Sequence, residues 1–161
     1  MRLIAVLFGL VVLSTAPAAA QTKPAADKPA DSMQVLRQQV QADKKAVIAA
    51  NMSLTEAEAK SFWPLYEEYQ KGLAKINDGL ATLIVTYAKE YKADTLTDEK
   101  ARKLLDGYLG VEDSEARLRR SFVPRFAKVL PGRKLARYMQ MENKIRILVK
   151  YEIVSEVPLA Q

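Results

Sequence analysis

The chain has 161 residues, with 25 lysines and arginines against 19 aspartates and glutamates, and a net charge of +6 at neutral pH. It contains neither cysteine nor histidine, which excludes disulfide bonds and removes the commonest general base and the commonest metal ligand. This length predicts a single domain, and packing alone must stabilise it.

The first part of the chain reads as a secretory signal peptide. Arg2 supplies the positive start, residues 3–13 form an apolar segment, and alanines before Gln21 supply small side chains at a cleavage site. The apolar segment is shorter than the roughly 20 residues that a membrane-spanning helix needs, although an uncleaved anchor is the alternative. We therefore predict that residues 1–20 are removed on export and that the protein works in a bacterial periplasm.

A disordered leader and a helical domain are predicted to follow the signal peptide. Residues 21–31 contain prolines and no large apolar side chain, which is typical of disorder. A single all-helical domain is predicted for residues 32–157, and Ser32 can cap its first helix. The apolar edge of that helix consists of Leu36, Val40, Val47 and Ala50. Because this edge is narrow, we expect the helix to pack peripherally or across a dimer partner.

The strongest helical pattern lies in residues 62–91. Apolar residues occupy two heptad positions through four repeats, which is the pattern of a coiled-coil seam. The two series are Phe62, Tyr69, Ile76 and Leu83, and Tyr66, Leu73, Leu80 and Tyr87. We expect a capping box at Thr55, a kink at Pro64, and close approach of another backbone at Gly72 and Gly79.

The next helix begins in the same way as the long one. The Leu-Thr-acid start at 54–59 recurs at 96–101, and Pro124 ends a Ser-Phe-x-Pro sequence like the one that ends at Pro64. The inward stripe of this helix is Leu104, Tyr108, Val111, Leu118, Phe122, Phe126 and Val129, interrupted by Glu115. Matched starts and matched prolines predict a bent antiparallel hairpin.

A last helix is predicted to begin at Pro131 and to run to about Val154. Its inward residues are expected to be Leu135, Tyr138, Met141, Ile145, Leu148, Val149 and Ile153. The fold class is therefore all-α, with a kinked antiparallel helical hairpin and flanking helices, four helices in all.

Three helix starts carry a common motif. They are residues 54–58 (Leu-Thr-Glu-Ala-Glu), 96–100 (Leu-Thr-Asp-Glu-Lys) and 130–134 (Leu-Pro-Gly-Arg-Lys). This pattern distantly resembles the Leu-Thr-x-x-Gln motif of the periplasmic Spy/CpxP-like family, and the resemblance covers most of residues 32–155. It implies a helical hairpin, commonly a cradle-shaped homodimer, that serves envelope-stress sensing or ATP-independent chaperoning.

A basic stretch without any acid lies between Glu115 and Glu142. Several of its cations share one helix face, opposite an apolar face. The candidate partner-binding residues are Arg117, Arg120, Arg125, Lys128, Arg133, Lys134 and Arg137. In an exported protein such a surface suits acidic proteins or lipid phosphates before nucleic acid. The alternative is an ordinary solvated face.

Two glutamates fall inside apolar stripes. Glu115 interrupts the third helix, and Glu142 lies in the apolar sector of the last one. Desolvating an unpaired carboxylate costs several kcal/mol, so we expect internal pairs, for Glu142 with Arg125, Arg146 or another basic residue. A di-metal bundle would need Glu-x-x-His, which a chain without histidine cannot supply.

No phosphate-binding loop, nucleophile motif or pair of catalytic carboxylates is recognisable, so we expect no enzymatic activity, no cofactor and no bound metal. The pattern favours a non-enzymatic periplasmic protein-binding factor, either chaperone-like or an envelope-stress sensor. Its partners would be unfolded clients or a sensor protein, and homodimerisation is compatible with the resemblance. The alternatives are a module that binds anionic lipid or lipopolysaccharide, and a metal-responsive sensor.

Overall fold

A computed structural model describes residues 43–160. Within this range the chain forms four α-helices and no strand, which confirms the all-α fold class. The described part of α1 covers residues 43–52, and the others are α2 (Glu56–Lys92), α3 (Asp98–Ala127) and α4 (Gly132–Glu156). The predicted signal peptide, the leader, and the residues Ser32, Leu36 and Val40 of the first helix lie outside the described residues.

Local capping fixes where α2 and α3 begin. The Glu58 amide donates to the Thr55 hydroxyl at 3.3 Å, and the Thr55 amide donates to the Glu58 carboxylate at 2.8 Å. This is the predicted capping box, which satisfies amides that a helix start leaves free. Thr97 caps α3 by accepting from the Lys100 amide at 3.3 Å. Both predicted helix starts are confirmed.

An antiparallel hairpin of α2 and α3 forms the centre of the fold. A Cβ at Gly72 would lie 2.9 Å from Leu118 Cδ1, and a Cβ at Gly107 would lie 2.8 Å from Leu83 Cδ2. A leucine from each helix therefore fills the gap that a glycine leaves in the other. The predicted close approach of a backbone is wrong at both α2 positions, because Gly72 meets a side chain and Gly79 has nothing within 4 Å.

The core is a cluster of aromatic rings at one end of this hairpin, where α1 and α4 join it. Phe62, Phe126 and Tyr138 are fully buried, and their ring centroids lie 4.8 to 5.6 Å apart. Each such pair contributes about 0.5–1.5 kcal/mol beyond the burial of its area. The surrounding buried side chains are Ile48, Met52, Tyr66, Tyr69, Phe122 and Leu130.

The helix α1 is part of this core, so the prediction of a peripheral helix is wrong for its described residues. Ile48 and Met52 are 0% and 1% exposed, whereas the predicted edge residues Val47 and Ala50 are exposed. Residues four apart share one helix face, and Lys44 precedes Ile48 by the same spacing. The inward face of α1 therefore combines two apolar side chains with one cation.

Substitution of the glycines separates helix propensity from packing. We expect Gly79→Ala to raise the free energy of unfolding by about 0.5–1 kcal/mol, because α2 gains propensity and the new Cβ meets nothing. Gly72→Ala should raise the free energy of unfolding by clearly less than Gly79→Ala does, or should lower it, because Leu118 must move. Urea unfolding measures both, and equal gains would contradict the glycine–leucine contact.

Candidate functional site

The carboxylate of Glu142 is buried, and each of its oxygens accepts a hydrogen bond from a side chain of another helix. Lys44 Nζ on α1 donates to Glu142 Oε2 at 2.7 Å, and Gln70 Nε2 on α2 donates to Oε1 at 2.9 Å. Lys44 Nζ also donates to Gln70 Oε1 at 2.9 Å, which closes a ring of three hydrogen bonds. The Glu142 side chain is only 6% exposed. The ring therefore ties α1, α2 and α4 together at a site shielded from water.

The internal pair predicted for Glu142 is present, but its partner is neither of the arginines named from the sequence. Arg125 binds Glu68, and Arg146 lies near Glu115. Lys44 reaches Glu142 across 98 residues of chain. Such a contact depends on how α1 docks, which the local pattern does not encode.

Three tyrosines line the same region and remain neutral. Burial, and next the negative charge of Glu142, raises the pKa of Tyr138 and Tyr66, and the same two causes raise the pKa of Tyr69 to about 12. The Tyr138 hydroxyl is buried near Glu142 without a hydrogen bond of good geometry. Near neutral pH these hydroxyls therefore stay protonated within the core.

The second buried carboxylate, Glu115 on α3, takes its cations from α4. Lys150 Nζ lies 3.0 Å from Glu115 Oε2, and Arg146 Nη1 lies 3.8 Å from the same oxygen. Lys150 also lies 3.5 Å from Glu112. Two basic side chains of α4 are therefore turned toward α3, where a purely apolar seam would place aliphatic residues.

This rotation of α4 exposes the large apolar side chains in its second half. The prediction that Leu148 and Val149 face inward is wrong, because they are 66% and 41% exposed. Leu148 lies about 160–200° around the helix from Arg146 and Lys150. The outer α4 stripe, as we name it, is between 52% and 70% exposed and consists of Ile147, Leu148, Tyr151 and Val154. Leu105 and Leu109 on α3 are likewise about half exposed. The sequence shows that Ile147, Tyr151 and Val154 share one helix face, because they are four and three residues apart. It does not show whether that face points toward the core or toward solvent.

Two of the predicted partner-binding cations are engaged inside the protein. Arg125 binds the Glu68 carboxylate through both terminal nitrogens and lies 4.4 Å from the centre of the Phe122 ring. Lys134 binds Glu58 and donates to the Ser53 carbonyl at 2.8 Å. Both side chains hold α2 to its neighbours, so neither is free for an outside ligand.

The other predicted cations remain on the surface. Arg117 is exposed and lies 3.8 Å from Asp113, one turn earlier on α3. Four exposed side chains near the α3–α4 turn have no ionic partner among residues 43–160, and we name them the basic end: Arg120, Lys128, Arg133 and Arg137. The structure thus divides the seven predicted residues into cations that brace the fold and cations that face water.

Residues 43–160 contain neither a cluster of metal ligands nor a helix that could span a membrane. Between residues 43 and 160, no group of three acidic or other metal-ligating side chains lies close enough to hold a metal ion. In the same range, no helix is both long enough and apolar enough to cross a membrane.

Comparison of the chain with protein-family models, with curated proteins and with solved structures finds no match. The Spy/CpxP-like resemblance therefore stays a prediction, and a functional inference rests on the surfaces described above.

The Glu142 ring predicts a specific stability defect. Glu142→Gln should lower the free energy of unfolding by about 1–3 kcal/mol, because the charge of Lys44 loses its counter-ion in a shielded site. Glu152→Gln, on an exposed side chain of the same helix, is the control and should change stability by less than about 0.5 kcal/mol. Equal effects of the two changes in thermal and urea unfolding would rule out the proposed role of the ring.

Acid should destabilise the fold through three surface carboxylates. Each has a lowered pKa because it accepts a hydrogen bond from a cationic side chain: Glu58 from Lys134, Glu68 from Arg125, and Glu90 from Lys100. Their contribution to the free energy of unfolding is complete above pH 4.5, the ordinary pKa of a glutamate. It is lost as the pH falls through their lowered pKa values.

Unfolding measured from pH 7 downward should therefore lose stability below about pH 4.5. Arg125→Gln should flatten part of that loss, whereas Arg117→Gln, which removes an equal charge from an exposed position, should leave the slope unchanged. A slope that Arg125→Gln does not alter would show that the Glu68 pair contributes nothing to it.

Proposed function

We propose that the protein is an exported, non-enzymatic binding factor that holds apolar segments of partly unfolded proteins, in the manner of a chaperone. The observation that carries this proposal is the outer α4 stripe, in which four large apolar side chains face outward while Arg146 and Lys150 face inward. The signal peptide predicted for residues 1–20 and the Spy/CpxP-like resemblance support the same class of function.

The stripe has the chemistry of a protein-binding surface. Contiguous apolar surface is uncommon on soluble proteins unless something binds there. Full burial of one leucine-sized side chain contributes about 1.5–3 kcal/mol, so a client that covered two of them would gain appreciable affinity. The stripe itself contains no charged side chain to dictate the sequence of the client. It therefore suits exposed aliphatic and aromatic segments in general.

The ion pairs beneath the stripe keep it available. If α4 rolled to bury Leu148 and Tyr151, it would withdraw Lys150 from Glu115 and leave a buried carboxylate without its cation. The apolar side chains therefore stay outward in the absence of a client. A permanently exposed binding surface needs no nucleotide-driven opening step.

A test of this proposal is the suppression of client aggregation by the predicted mature chain, residues 21–161. Leu148→Gln with Tyr151→Gln should raise the concentration needed for half suppression by about tenfold, because two anchors of the stripe are lost. Suppression by the unaltered protein should persist in ~0.5 M salt, where charge effects are strongly screened.

The matched control removes two exposed apolar side chains outside the stripe, Val85→Gln with Leu159→Gln. This variant should suppress aggregation as well as the unaltered protein does. Absence of suppression by the unaltered protein, or equal loss in both double variants, would refute the proposal. Circular dichroism would verify that each variant keeps its helices.

A further inference from the structure

We propose that the basic end docks on the phosphate headgroups of an anionic phospholipid bilayer. The basic end contains four exposed cations that lack ionic partners within the described part of the chain. This inference is independent of the proposed chaperone function, because it uses other residues and another kind of chemistry.

Two acids of α2 that face α3 and α4 are already bound to cations outside the basic end. No aspartate or glutamate lies between residues 116 and 141. Glu58 and Glu68 on α2 face α4 and α3, but each is bound to its own cation, Lys134 or Arg125. The unpartnered cations therefore add to one another and create a positive field that reaches about a Debye length, ~8 Å at physiological salt.

The layout of these cations fits a diffuse anionic plane. Lys128 and Arg133 border the α3–α4 turn, and Arg120 lies eight residues before Lys128, or ~12 Å along the helix. Arg137 lies one turn beyond Arg133, so the charges are spread over two helices. Charges spread in this way can meet many headgroups at once, and each contributes about a fivefold gain in membrane partitioning.

The same region lacks the anchors of a specific protein interface. Tight protein partners usually bury a few large aromatic or aliphatic side chains at the centre of the contact. No large hydrophobic side chain between residues 110 and 146 is exposed. An anionic lipid surface therefore fits better than an acidic protein.

Binding by the basic end would leave the outer α4 stripe accessible. The first residue of the stripe, Ile147, follows Arg137 by ten residues, or ~15 Å along α4. The membrane would therefore hold the turn between α3 and α4, while the stripe stays free for client segments.

Vesicle co-sedimentation tests the inference. Residues 21–161, which include the whole described part of the chain, 43–160, are mixed with vesicles of equal parts phosphatidylglycerol and phosphatidylcholine, or of phosphatidylcholine alone. At ~50 mM salt we expect binding to the anionic vesicles only, with loss at ~500 mM salt. Changing the basic end to glutamine should lower partitioning at least about tenfold. That variant is Arg120→Gln, Lys128→Gln, Arg133→Gln and Arg137→Gln.

The control variant has the same net charge as the variant without the basic end, but it keeps the four cations of the basic end. It changes four exposed cations of α2 and α3 that have no ionic partner in the described range: Lys71→Gln, Lys75→Gln, Arg102→Gln and Lys103→Gln. We expect its partitioning to stay within about twofold of the unaltered protein.

Several outcomes would overturn the inference. These are no binding of the unaltered protein to anionic vesicles, equal binding to phosphatidylcholine, equal loss in the two variants, or binding to polyglutamate in place of vesicles. None of them affects the aggregation assay, so the two proposals can fail separately.

Discussion

The fold depends on the neutralisation of two buried carboxylates. A carboxylate removed from water must find a cation or several donors within hydrogen-bond reach, or the folded state loses several kcal/mol. Glu142 meets this requirement with Lys44 and Gln70, and Glu115 meets it with Lys150. Each solution joins separate helices. The charges thereby help to fix where α1 docks and how α4 is turned, together with the buried contacts of Ile48, Met52 and Tyr138.

The orientation of α4 shows a charge requirement outweighing hydrophobic sorting. Burying an aliphatic side chain contributes a few kcal/mol, which is similar to the penalty for a buried carboxylate without a partner. In α4 the need to pair the buried carboxylate prevails, because Lys150 is turned inward and its neighbour Tyr151 is exposed. The outer α4 stripe is therefore exposed because Glu115 needs a cation from the opposite face of the same helix. This connection links the buried ion pairs to the surface on which the proposed function rests.

Features encoded within a few residues could be predicted from the sequence, and contacts between distant segments could not. The capping box at Thr55 and the stripe of α2 depend on local spacing, and both are present in the structure. The burial of Ile48 and the partner of Glu142 depend on how α1 meets the rest of the chain. The outward stripe of α4 was missed because its apolar residues have the spacing of a core face. Spacing identifies a face but does not say which way it points.

The two glycine–leucine contacts of the hairpin together constrain how α2 and α3 are aligned along their length. Gly72 and Leu83 are eleven residues apart on α2, and Gly107 and Leu118 are eleven residues apart on α3. Eleven residues make just over three helical turns, so the glycine and the leucine of each helix lie on one face at matching heights. A slip of one turn would withdraw both leucines from the glycines that they contact. Two glycine–leucine contacts, one from each helix to the other, therefore favour the observed alignment of α2 and α3.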